Sequence, residues 1–158
     1  MIIATLILIL SAALFCFYFQ VTCRRILRRQ FAQEYFQSIA AANRLEFLSL
    51  RESLEGLGRT PAYSLLRQAL KCDFVALTYL VKNADNVNQR YATEERFLIL
   101  YFRWLFLSLA ARRLLRMSES QVILRLTSVL QYFANVVGQR VEAVKFGNLA
   151  AAELPLSF

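Results

Sequence analysis

Apolar side chains fill the start of the chain with no charge among them, and from there on they recur at intervals of three and four residues. Residues 1–23 carry no charged side chain, and all 19 basic and 11 acidic residues follow Cys23. The run from Ile2 to Val21 is uncharged and predominantly apolar, interrupted by Ser11 and by Gln20 near its end. At about 1.5 Å rise per residue it reaches about 30 Å, the thickness of a bilayer hydrocarbon core. This predicts a transmembrane helix over residues 1–23.

No basic region precedes the run. Phe15-Cys16-Phe17-Tyr18-Phe19 is bulky where a signal peptidase takes small residues, so the segment reads as an uncleaved signal anchor. Arg24, Arg25, Arg28 and Arg29 come directly after it. The positive-inside rule then puts the N-terminus outside and residues 24–158 in the cytoplasm, with Phe17, Tyr18 and Phe19 at the inner interface. On a helix the four arginines form like-charge i,i+4 pairs that repel in water. Beside anionic headgroups each contributes about 1 kcal/mol, so these four are the expected lipid contacts.

Beyond the arginines the period is helical. Gln30, Glu34, Gln37, Arg44, Arg51 and Glu55 share one side of a helix predicted over 24–55, and Phe36, Ile39, Phe47, Leu50 and Leu54 the other. Gly56 and Gly58 end it. Thr60-Pro61 predicts the next start, with a core side of Leu66, Leu70, Phe74, Leu77 and Val81 running to about Asn83. Asn83–Tyr91 is read as a loop. Thr93, Glu94 and Glu95 suit a helix N-terminus.

From Phe97 to Ala111 the chain is apolar on every side except at Arg103 and Ser108, before Arg112, Arg113 and Arg116. Such a helix is central in a bundle or lies in lipid. The run is short for a span, and Arg103 opposes insertion by about 2.5–3.5 kcal/mol, so a buried central helix is expected. Ser118 and Gln121 fit a capping box. In the last helix Ile123, Leu126, Leu130, Phe133, Val137, Val141 and Val144 are expected inside. Gln121, Arg125, Ser128, Asn135, Gln139 and Glu142 are expected outside, and Gly147 is read as the C-cap.

Composition narrows the class. The apolar fraction is 58%, against about 45–50% in soluble proteins. Four glycines and two prolines are too few for a turn-rich β-fold or a disordered chain. The expected fold is all-α: one N-terminal transmembrane helix (1–23), a cytoplasmic bundle of about four helices (24–147) and an apolar C-terminal tail (148–158).

Candidate chemistry is sparse. There is no histidine, which removes the commonest metal ligand and general base. Cys16, Cys23 and Cys72 have no metal-binding spacing, and Cys72 reads as a small core residue. No phosphate loop or nucleophile motif occurs. No enzyme activity, cofactor or metal is therefore expected. The net charge of +8 is divided between the Arg24–Arg29 flank, a helix end and scattered positions, without a basic-aromatic run, so nucleic acid is not expected either. Asp73 interrupts an apolar stretch, and Arg103 stands alone in another. A buried pair between them, or an interface, is the expected use of both.

Thirteen Phe, seven Tyr and Trp104 exceed what a small bundle needs to close its core. Trp104 and Phe158 are interface candidates. The expected function is an accessory, assembly or scaffolding subunit of a membrane protein complex, with other protein subunits and anionic lipid headgroups as partners. The alternative is a self-assembling membrane-remodelling or pore-associated protein, with a homo-oligomer as its partner.

Overall fold

A computed structural model of the chain describes residues 1–29, 31, 34–56, 62–84, 93–115 and 117–153, the side chains of Ile2 and of residues 145–153 excepted. Among the described residues there are six helices and no strand: α1 (Ile2–Leu27), α2 (Phe36–Asn43), α3 (Phe47–Gly56), α4 (Tyr63–Asn83), α5 (Thr93–Leu114) and α6 (Ser120–Glu153). The expected all-α fold is what the chain adopts, with one N-terminal helix long and apolar enough to cross a membrane. Gly58, Thr60, Pro61, Arg116 and the 85–91 part of the predicted loop lie outside the described residues.

α1 is solvent-exposed on nearly every side for most of its length. Thr22 Oγ1 donates back to Tyr18 O at 2.9 Å, which satisfies a hydroxyl without water. The helix passes the end of the apolar run by six residues and closes at Arg28.

The helix expected over 24–55 is instead broken into the end of α1, α2 and α3. Arg44 is the reason at one break. It adopts the left-handed conformation (φ 52°, ψ 44°), and Leu45 N–H turns back to Ala40 O at 3.0 Å, which closes α2. The N-termini of both short helices are completed from far away. Asn135 Oδ1 on α6 accepts the N–H groups of Tyr35 and Phe36 at 2.8 and 2.9 Å. Asp73 Oδ2 on α4 accepts those of Glu46 and Phe47 at 2.9 and 2.8 Å. The first amides of a helix have no partner within it, so these remote side chains fix where α2 and α3 begin.

α6, not α5, is the central helix: every other helix packs against it. It buries Ile123, Leu126, Val129, Leu130, Phe133, Ala134 and Val137. Asn135, expected outside, is buried because it holds the start of α2, whereas Val141, expected inside, is exposed. Gly147 does not end α6, which continues through an Ala-rich stretch to Glu153.

α5 buries one side only, through Leu98, Tyr101, Phe102, Leu105 and Leu109. The expected all-round burial of 97–111 fails because α5 has α6 behind it, α4 and α1 at its flanks and, among the described residues, no further helix in front. α4 packs Leu66, Leu70, Leu77 and Val81 inward. Cys72, expected in the core, lies on its exposed side.

Candidate functional site

The inner end of α1 is joined to the start of α5. Phe19 stands 6.2 Å from the rings of both Phe97 and Tyr101. Cys23 is buried, with its Sγ 3.9 Å from Phe97 O. Arg29 Nη1 meets Glu94 Oε2 at 3.1 Å, and Tyr132 Oη donates to the same oxygen at 3.2 Å. Burial, and then the Glu94 charge, push the Tyr132 phenol up to about 12, so at neutral pH it keeps the proton it donates to Glu94. Glu95 is buried and paired with Arg140, which also donates to Val81 O at 2.8 Å. The two acidic residues expected merely in a first turn thus tie α5 to α1 and α6.

Of the four arginines after the apolar run, all are exposed, and Arg29 is engaged by Glu94. A polar cleft of about 470 Å³ opens beside this junction, with Arg29, Glu34, Arg51 and Tyr132 among its walls. The charges of its arginines are already matched, Arg29 by Glu94 and Arg51 by Glu55.

The expected pairing of Asp73 with Arg103 is not made. Asp73 is turned inward, toward the start of α3, and its carboxylate is occupied by two backbone amides. Burial raises its carboxyl above the usual aspartate range, and those two hydrogen bonds pull the other way. Arg103 is exposed on the outer side of α5, where it borders Phe102, Phe106 and Leu107.

That outer side contains what the sequence reading missed. α4 and α5 run antiparallel and meet through side chains. Phe74 stacks on Phe102 with ring centres 3.9 Å apart and planes 1° from parallel, and Phe106 lies 6.0 Å beyond. The Arg67 guanidinium sits 5.3 Å above the Phe106 ring. Toward the other end, Arg113 sits 5.0 Å from the Tyr63 ring. Between the two helices is an open groove of about 410 Å³, floored by Phe74, Phe102 and Phe106 and bordered by Val75, Leu107, Lys71 and Arg103. The sequence signal was the basic set Arg67, Lys71 and Arg103 beside these rings, hidden because its members lie on two helices.

Next to the groove, Leu100, Trp104 and Leu114 are exposed, Leu114 by 85%. Trp104 is therefore at the surface, as an interface candidate requires, and Phe158 lies outside the described residues. Among the described residues no group of His, Cys, Asp and Glu is placed to hold a metal ion. No family model matches the chain, and comparison with curated proteins and with solved structures gives no match.

Proposed function

We propose that the protein is a bitopic, non-enzymatic membrane protein, with its N-terminus outside and its bundle in the cytoplasm, acting as an accessory or scaffolding subunit of a membrane protein complex. Its action is positional. α1 localises the chain, the bundle holds a partner, and no bond is made or broken.

The observation that carries this reading is the outward side of α5. Leu100, Trp104 and Leu114 fall on one stripe of that helix and are exposed. The same helix meets α1 through Phe97 and Tyr101, and α1 is itself exposed and apolar for most of its length. A contiguous apolar stripe with an aromatic anchor is what a protein-binding surface presents. Arg112 and Arg113 at the end of α5 supply the polar rim such surfaces have. The arginines after the apolar run support the orientation.

Site-specific photo-crosslinking in native membranes tests it. A photoreactive residue at Leu100 is expected to capture one discrete heterologous protein, while the same residue at Glu52 on α3, away from the stripe, captures none. Adducts only between copies of this chain would replace the reading with self-assembly. No adduct at Leu100 would overturn it.

A further inference from the structure

We propose that the groove between α4 and α5 binds an anionic membrane lipid, with an acyl chain along Phe74, Phe102 and Phe106 and the phosphate held by Lys71 and Arg103. The proposal goes beyond the subunit reading and rests only on α1 as a membrane span.

The first support is the chemistry of the groove. Its floor is three aromatic rings, and Val75 and Leu107 extend the apolar surface at its edges. About 410 Å³ is within the range of small-molecule sites. Lys71 and Arg103 stand on opposite walls, one from each helix, and Arg67 adds a third cation over Phe106. No carboxylate is among the residues lining the groove. Asp73, next along α4, is turned inward and occupied by the Glu46 and Phe47 amides. Glu94 and Glu95, at the start of α5, are held by Arg29 and Arg140. Among the described residues the cations therefore face outward without an internal counter-charge, above an apolar surface. An apolar tail under a negative head matches both features at once. Lys and Arg stems lie along apolar surface while their heads reach a polar boundary.

The second support is position relative to the bilayer. Arg29 meets Glu94, and Phe19 meets Phe97 and Tyr101. Moving back along α1 into its apolar run thus corresponds to moving forward along α5, so the two helices are antiparallel. The α5 part of the groove begins at Phe102, one residue past Tyr101, so the groove opens next to the junction where the apolar run of α1 ends. A surface there meets the inner leaflet, whose anionic headgroups contribute about 1 kcal/mol for each nearby Lys or Arg.

Trp104 is the only tryptophan in the chain and lies one turn from Leu107, half-exposed, so its fluorescence reports on the groove's border. The purified full chain is reconstituted into phosphatidylcholine vesicles, washed at alkaline pH, and given a minor fraction of lipid brominated on the acyl chain. Brominated phosphatidylglycerol is expected to quench Trp104 severalfold more than brominated phosphatidylcholine at equal dose. K71E/R103E is expected to abolish that preference, since about 1 kcal/mol per cation corresponds to roughly fivefold each. K71Q/R103Q, which adds no repulsion, is expected to lose it in part. Both substitutions are at exposed positions, and helicity by circular dichroism checks that the fold is kept. Equal quenching by the two lipids, or a preference unchanged in K71E/R103E, overturns the proposal. Protein retained after the wash but unquenched also overturns it and leaves the groove to a protein partner. Protein lost in the wash instead overturns the membrane span.

Discussion

Gly138 on α6 lies so close to Tyr35 that a Cβ built on it would stand 2.2 Å from the Tyr35 Cβ. On the turns to either side, Asn135 accepts the Tyr35 N–H at 2.8 Å and Glu142 bonds the Tyr35 hydroxyl. Residues 135, 138 and 142 share one face of α6, so a single side chain is clasped over two turns, and glycine is the residue that lets it in. Gly138→Ala is expected to destabilise the protein by about 1–3 kcal/mol, as overpacking does. Tyr35→Gly in the same chain should recover part of that loss, because the Cβ and the ring that clash are then both gone. Chemical denaturation of the full chain in detergent reads both. A neutral Gly138→Ala would mean that Tyr35 is not held there.

Asp73 predicts a dependence on pH. Its carboxyl is raised by burial, so the folded protein holds that proton more tightly than the unfolded chain does. The contribution is thus full below the unfolded pKa and is lost as pH rises through the folded one. Asn at this position keeps an oxygen for the Glu46 and Phe47 amides and carries no charge. Asp73→Asn should therefore gain on the wild type steadily from acid to neutral pH. Asp73→Ala leaves both amides open and should cost about 1–2 kcal/mol relative to Asp73→Asn at any pH, the usual loss of a helix cap. Denaturation midpoints across that range distinguish the three proteins, and parallel profiles for wild type and Asp73→Asn would remove the buried-charge argument.

Arg103→Leu should change stability by less than about 0.5 kcal/mol, as substitutions at exposed positions do. Combined with Asp73→Asn, its effect should be additive within about 0.5 kcal/mol, because the two side chains share no bond. A loss of several kcal/mol in the single variant, rescued in the double, would instead restore the pairing that the sequence suggested.

Cys72 offers a topology measurement without any added reporter. It is exposed on α4, while Cys23 is buried and Cys16 lies within the apolar helix. A membrane-impermeant maleimide added to intact cells should leave the chain unlabelled, and permeabilising the membrane should bring one label onto Cys72. Labelling of Cys72 before permeabilisation would reverse the proposed orientation.

Much of the helical architecture is legible in the sequence because burial on one side of a helix writes itself as a period. Leu66, Leu70, Leu77 and Val81 on α4, and Ile123 to Val137 on α6, are read correctly from spacing alone. What is not legible is where an interaction joins distant positions. Nothing near Phe36 announces a helix start, since the oxygen that completes it belongs to Asn135, and a polar residue at that spacing reads as solvated. α5 misleads for a different reason. A run apolar all round gives no preferred face, so the sequence cannot say that only half of it meets other helices. The groove is invisible for a third reason: its floor is shared between Phe74 and the pair Phe102 and Phe106, on separate helices that only the fold brings side by side.

The remote closure of α2 and α3 also sets an order of events during synthesis. Eight and ten residues are each too few for a helix to persist alone in water, where about 12–15 are marginal. Tyr35 finds its last partner 107 residues later in the chain. At about 5–20 residues per second, a ribosome needs about 5–20 s to make that stretch. Through that interval α1 has been made, and α3 waits only for Asp73, 26 residues after Phe47, whereas residues 34–43 still lack the oxygens that organise them. A nascent chain arrested before Asn135 should accordingly expose this segment to protease beside its anchor, and one arrested well beyond Glu142 should protect it.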